Sequence, residues 1–162
     1  MATYIIPEDA KADALARFND PGPDHINCAQ AVVRFAVLVL GIDPDLVDVA
    51  RYFGGGIAGM GETCGAVTGT AISLGLRDME LAELKDAVRP QTTERLRDLL
   101  RGFDAEFGSR RCRDLTGFDL STQAGHEAFV QSDIRKRCTD YVSFMCDGLA
   151  PLLLDPQGTG AV

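Results

Sequence analysis

Five cysteines, Cys28, Cys64, Cys112, Cys138 and Cys146, are the residues of this chain best suited to chemistry. No two form a C-x-x-C pair, which excludes the zinc-ribbon and thioredoxin spacings, so a shared site must be assembled by the fold from separate segments. Thiolates ligate soft metals or attack sulfur. Two contexts favour the thiolate. Cys64 opens Thr63-Cys64-Gly65-Ala66-Val67-Thr68-Gly69 at a helix start, and Cys28 follows the cap residues Asp24 and Asn27. A thiol in an opening turn lies among unpaired backbone N–H groups at the positive end of the helix dipole. Cys112 stands in Ser109-Arg110-Arg111-Cys112-Arg113 and Cys138 in Arg135-Lys136-Arg137-Cys138, so six of the 16 basic residues lie within three positions of these two thiols. Such cations stabilise thiolates and offset the charge of a thiolate-ligated cluster. The plainer alternative makes Cys28 and Cys64 small apolar core residues and the basic runs solvated helix ends.

Other motifs carry less. Gly54, Gly56 and Gly59 satisfy G-x-G-x-x-G, but a dinucleotide fingerprint needs a preceding strand and a βαβ unit, and Asp45 to Phe53 has helical spacing instead. The run reads as a flexible loop delivering Cys64. His25 and His126 are potential metal ligands; Pro23 places His25 at a helix boundary, and His126 lies in a polar stretch, so both are expected in solvent. No Ser-His-Asp arrangement is readable.

The elements that must position the thiols are helical. Glu8 to Phe18 has an amphipathic pattern stopped by Asp20-Pro21-Gly22-Pro23. Ile26 to Leu40 is apolar nearly all round and ends at Gly41, which predicts a central helix. A shorter helix follows over Asp45 to Phe53, with Thr63 as N-cap of a helix to about Leu76. Asp78 to Glu106 reads as two helices divided at Pro90, a short helix starts at Leu120-Ser121, and the last runs from Asp133 to Leu149, closed by Pro151. Gly61, Gly65, Gly69 and Ser73 recur every four residues and make a flat face for a close helix partner, either within the chain or in a homo-oligomer. The predicted fold is all-α, a compact bundle of about six or seven helices with a Gly-rich loop leading into a central helix. Residues 1–154 are expected to form a single helical redox domain and 155–162 a disordered tail.

The Asn27-Cys28-Ala29-Gln30-Ala31 start, Phe53-Gly54-Gly55-Gly56, Gly61-Glu62-Thr63-Cys64-Gly65-Ala66 through Gly69, Cys112-Arg113-Asp114-Leu115 and Arg137-Cys138 resemble the C-GCAxxG-C-C family of redox-active proteins. The resemblance runs from about Asn27 to Tyr141. It implies a small helical protein with four functional thiols, Cys28, Cys64, Cys112 and Cys138. A similar cysteine arrangement accompanies the haem part of split-Soret cytochromes, where an iron–sulfur cluster has been assigned. Family members often lack an equivalent of Cys146, which is therefore expected outside the site.

Composition bounds the rest. With 162 residues and 46% apolar content, the chain can bury one sizeable core. The net charge of −8 repels phosphate backbones and anionic membranes. Met1 to Leu15 shows no signal-like pattern, and Ala29 to Leu40 is too short to span a bilayer, so a cytoplasmic protein without membrane insertion is expected. Three functions stay open: cofactor binding by Cys28, Cys64, Cys112 and Cys138, with an iron–sulfur cluster or other thiophilic metal for electron transfer and the flanking Arg and Lys tuning its charge; cofactor-free thiol–disulfide exchange with Cys64 attacking and another thiol, such as Cys28, resolving; or a non-catalytic helical assembly module.

Overall fold

The computed structural model describes residues 5–160 of the chain. Seven α-helices occur among them: α1 (Pro7–Phe18), α2 (Cys28–Leu40), α3 (Gly65–Glu80), α4 (Lys85–Phe107), α5 (Cys112–Thr116), α6 (Gln123–Gln131) and α7 (Ile134–Leu154). Two 3-10 segments, Pro44–Ala50 and Ala82–Leu84, complete the regular structure, and the fold is all-α. None of the described helices is long and apolar enough to cross a membrane.

The central helix is α2, as its composition predicts. Asn27 caps it: its side chain accepts from the Gln30 N–H at 2.9 Å, and the Gln30 side chain accepts from the Asn27 N–H at 3.1 Å. Gly41, in the left-handed region, ends it. One face of α2 packs Val32, Phe35 and Val39 into the main core with Phe103 of α4 and Tyr141, Met145 and Leu149 of α7. The opposite face packs Val33 and Val37 against Val47, Ala50 and Leu76. Each such side chain contributes about 1.5–3 kcal/mol on burial, so an all-round apolar helix is stable only where neighbours cover both faces.

Helix α3 lies against α2 through its glycines. A Cβ at Gly69 would stand 2.6 Å from the Ala29 carbonyl oxygen, and one at Gly65 would stand 3.0 Å from the Ala29 nitrogen. The repeat therefore serves contact inside the chain. Gly61 lies outside the helix at φ +75°, with Arg113 over it. Because Gly61, Gly65 and Gly69 are all buried, the expected homo-oligomer through this face has no surface to use. At its other end α3 is fixed by Arg77, which is 1% exposed and donates to the Leu152 carbonyl at 2.7 Å and the Thr92 hydroxyl at 2.9 Å, beside Asp78.

Several boundaries differ from expectation. In place of the helix expected over Asp45 to Phe53, a 3-10 segment capped by Asp43 runs over Pro44–Ala50, and Cys64 replaces Thr63 as N-cap of α3. Pro90 and Pro151 both lie inside continuous helices. Pro90 falls in the exposed opening turns of α4, where water can take the freed carbonyl, and beyond Pro151 the burial of Leu152 and Leu153 offsets the lost hydrogen bond. Of the expected tail, residues 155–160 turn back on Asp155, whose carboxylate accepts from the N–H groups of Thr159 at 3.1 Å and Gly160 at 2.8 Å. Residues 161–162 and 1–4 lie outside the described residues.

Candidate functional site

Three of the four implicated thiols stand at helix starts. Cys28 is the first residue of α2, Cys64 the N-cap of α3 and Cys112 the first residue of α5, while Cys138 occupies the second turn of α7. The glycine segment brings them together. Residues 54–61 curl into a loop closed by backbone bonds from the Gly61 N–H to the Gly55 carbonyl and from the Glu62 N–H to the Gly56 carbonyl, both 3.0 Å. The curl needs left-handed backbone at Gly55, Gly56, Gly59 and Gly61, and it imposes the same on Ile57 (φ 63°) and Ala58 (φ 50°). For a β-branched residue this is strained. At Gly56 no side chain fits, because a Cβ would lie 2.5 Å from the Glu62 nitrogen and 2.8 Å from the Cys112 Cβ.

Beyond the loop, Thr63 and Arg111 form a single antiparallel bridge. Around it the Cys64 N–H donates to the Arg110 carbonyl at 2.8 Å and the Cys112 N–H to the Glu62 carbonyl at 2.7 Å. Two cysteines separated by 48 positions are thereby held on facing segments. Asn27 ties in the third thiol: besides capping α2 it donates to the Arg51 carbonyl at 2.8 Å, joining the start of α2 to the approach of the loop.

Cys28, Cys64, Cys112 and Cys138 surround one cavity of about 20 Å³, closed by Leu115 and Tyr141. That is about the space of one water molecule. Above it opens a pocket of about 390 Å³ with Cys28, Cys112 and Cys138 at its floor; Cys64 lies beneath, outside its lining. Cys146 borders neither cavity and is fully buried in the main core.

The thiols are electrostatically unequal. Hydrogen bonding from the Cys64 thiol draws the Cys28 pKa down to about 7 against the opposing effect of burial, assisted by the N–H groups of Gly55, Ala29 and Cys28 itself. Cys64 is held well above its ordinary value, first by that same bond and then by burial. Burial, together with the negative charge at Cys28, pushes Cys112 up to about 11 and Cys138 up to about 12. Of the pair, Cys28 is the thiol whose ionisation is favoured. The sequence reading puts the attacking thiolate at Cys64, whereas the shifts favour ionisation of Cys28. The causes differ chiefly in the pair itself, which lowers Cys28 and raises Cys64, with the N–H groups of Gly55, Ala29 and Cys28 assisting Cys28.

The basic residues expected to tune the site divide. Arg110, Arg113 and Lys136 pair with Asp104, Asp119 and Asp133. Arg135 and Arg137 act on Cys138, lowering its pKa against burial. His25 and His126 are exposed, as expected, and both border the open pocket. Desolvation and Arg135 hold His25 below its ordinary value. Sequence reasoning missed the Gly55 N–H, Tyr141 and the pocket position of Arg135. Only the Asn27-x-x-Gln30 capping box, which puts Cys28 at the first helical position, was available as a signal.

An iron–sulfur cluster or soft metal fits these residues in donor type, being thiophilic, but not in spacing. Among the described residues no three Cys, His, Asp or Glu side chains are placed to hold a metal ion, and the space between the thiols is far smaller than a cluster. The arrangement is that of four thiols bordering one small closed cavity.

A family model described as "Putative redox-active protein (C_GCAxxG_C_C)" matches residues 26–151, a span that includes all five cysteines. No curated protein and no solved structure matches the chain.

Proposed function

The chain belongs to the C-GCAxxG-C-C family of redox-active proteins, and on that premise we propose that it performs thiol–disulfide exchange with Cys28 attacking and Cys64 resolving. The observation that carries this reading is that Cys28 and Cys64 border one closed cavity, with the Cys28 sulfur against Gly65, the residue that follows Cys64. The shared cavity puts the two sulfurs side by side, and the lowered pKa of Cys28 favours its thiolate.

The Cys28 thiolate attacks one sulfur of a substrate disulfide. An S–S bond forms to Cys28, the substrate's S–S bond breaks, and one thiolate leaves, taking up a proton from solvent. With the charge at Cys28 consumed, the largest of the effects that raise the Cys64 pKa is gone and burial is the main one left. Cys64 loses its proton and attacks Cys28 in the mixed disulfide, closing Cys28–Cys64 and expelling the second substrate thiolate. The substrate disulfide gains two electrons and the protein dithiol loses them. Cys112 and Cys138 stay protonated near pH 7 and form the floor on either side.

The test is mass spectrometry of the reduced protein treated with hydroxyethyl disulfide. The wild type should end with one internal disulfide joining Cys28 and Cys64. Cys64→Ser should stop at a mixed disulfide on Cys28, and Cys28→Ser should not react at this site. Retention of rapid exchange in Cys28→Ser would remove the proposal.

A second reading, metal or cluster ligation by Cys28, Cys64, Cys112 and Cys138, draws on the four thiols bordering one cavity and requires them to move from their present spacing. Anaerobic purification with metal analysis tests it: bound metal, lost in each of the four single Ser variants and kept in Cys146→Ser, would establish it over exchange.

A further inference from the structure

The open pocket above the thiols has one permanently charged lining side chain, the cation Arg135, set across from the Cys28 sulfur at the floor. Arg135 borders it, with His25 and His126 on the same rim, and no carboxylate lines it. Among the described residues Arg135 makes no ion pair, unlike Arg110, Arg113 and Lys136 nearby. Asp20 shares with Arg135 an adjoining cavity of about 330 Å³, and its carboxylate accepts from the Gly22 N–H at 2.5 Å. The remaining wall is apolar, with Phe18, Leu120 and Phe129. At about 390 Å³ the pocket is within the roughly 300–1,000 Å³ range of small-molecule sites. Its thiols are recessed, which suits a ligand that enters over a folded partner that docks.

We propose that the pocket selects a low-molecular-weight disulfide bearing carboxylates, seating the disulfide over Cys28 and one carboxylate on Arg135. The inference rests on the exchange reading and names its substrate class. The chemistry is the exchange already written: the small disulfide is reduced to two thiols as Cys28 and Cys64 are oxidised. Recognition by Arg135 runs against the chain as a whole, whose net charge of −8 would favour a cationic disulfide. Local and global electrostatics therefore predict opposite orders.

The reduced protein is mixed separately with dithiodipropionate, hydroxyethyl disulfide and cystamine, which are anionic, neutral and cationic. Each rate is divided by that of free cysteine to remove intrinsic reactivity. The anionic disulfide should exceed the neutral one by about tenfold at low ionic strength, with the advantage shrinking as salt approaches physiological levels. Arg135→Gln should abolish the anionic-to-neutral ratio and Arg135→Lys should keep much of it. Arg97→Gln removes the same charge from a remote surface and should leave the ratio alone. A ratio of one or less in the wild type, or a ratio indifferent to Arg135→Gln, overturns the inference while leaving exchange at Cys28 intact. Failure of all three disulfides to react removes the exchange reading and this inference with it.

Discussion

Cys28 and Cys64 border the same closed cavity, and their mutual influence moves the two pKa values in opposite directions, Cys28 to about 7 and Cys64 well above the ordinary thiol range. Burial alone raises both, so the donor–acceptor relation decides which sulfur carries charge at neutral pH.

Alkylation of Cys28 by iodoacetamide should accordingly rise with pH through a midpoint near 7, because the thiolate is the reactive form and its fraction grows above the pKa. Cys64→Ala removes the largest stabilising contact and should move that midpoint upward, towards the ordinary thiol value, with a several-fold slower reaction at pH 7. A midpoint unchanged in the variant would show that the backbone amides alone hold the charge.

The remaining thiols should be alkylated in an order set by their surroundings. Cys112 and Cys138, raised to about 11 and about 12, should react slowly at pH 8. Cys146 is fully buried and its pKa is pushed up by that burial, so it should react only on unfolding. Peptide mapping of a timed reaction reads the order directly.

Glycine substitutions along α3 should diverge. A Cβ at Gly65 would collide with the Cys28 sulfur, so Gly65→Ala should cost about 1–3 kcal/mol in urea denaturation and also disturb the Cys28 midpoint. Gly69→Ala, against the Ala29 carbonyl, should destabilise without that second effect. Gly75 is exposed with nothing within 4 Å of a built Cβ, so Gly75→Ala should stabilise by about 1 kcal/mol through helix propensity.

Arg77 joins three helices through Asp78, Thr92 and the Leu152 carbonyl while 1% exposed. Arg77→Ala should cost about 3–5 kcal/mol, since it strands a carboxylate and a buried carbonyl. Arg77→Lys should recover little, because one ammonium cannot reproduce the guanidinium fork.

Helix content, the central place of α2 and the close approach at Gly65 and Gly69 were legible because each is written in local pattern: an all-round apolar run, a capping box, a four-residue glycine repeat. The loop from Gly54 to Gly61 was legible as a loop only. Its closure depends on backbone bonds to its own earlier residues and on the Thr63–Arg111 bridge, which joins segments distant in sequence. The same holds for which thiol bears charge, since the Gly55 amide reaches Cys28 across 27 positions. Pro90 and Pro151 misled because their local cost is real but is outweighed by packing along the rest of the helix.

Cys28 and Cys64 begin α2 and α3 with 36 positions between them, including the strained turn at Ile57 and Ala58. A bond between them would close a ring of that size and restrict the unfolded chain by about 4 kcal/mol in the loop-entropy account, which corresponds to a melting temperature higher by roughly 8–16 °C in a protein of this length. By thermodynamic linkage the same quantity favours the oxidised form, lowering the reduction potential of the folded pair by about 85 mV relative to the unfolded one. Heat resistance and electron affinity are thus conjugate readings of one cycle, so any substitution in the glycine turn that alters the strain of the closed ring shifts both together, in opposite directions.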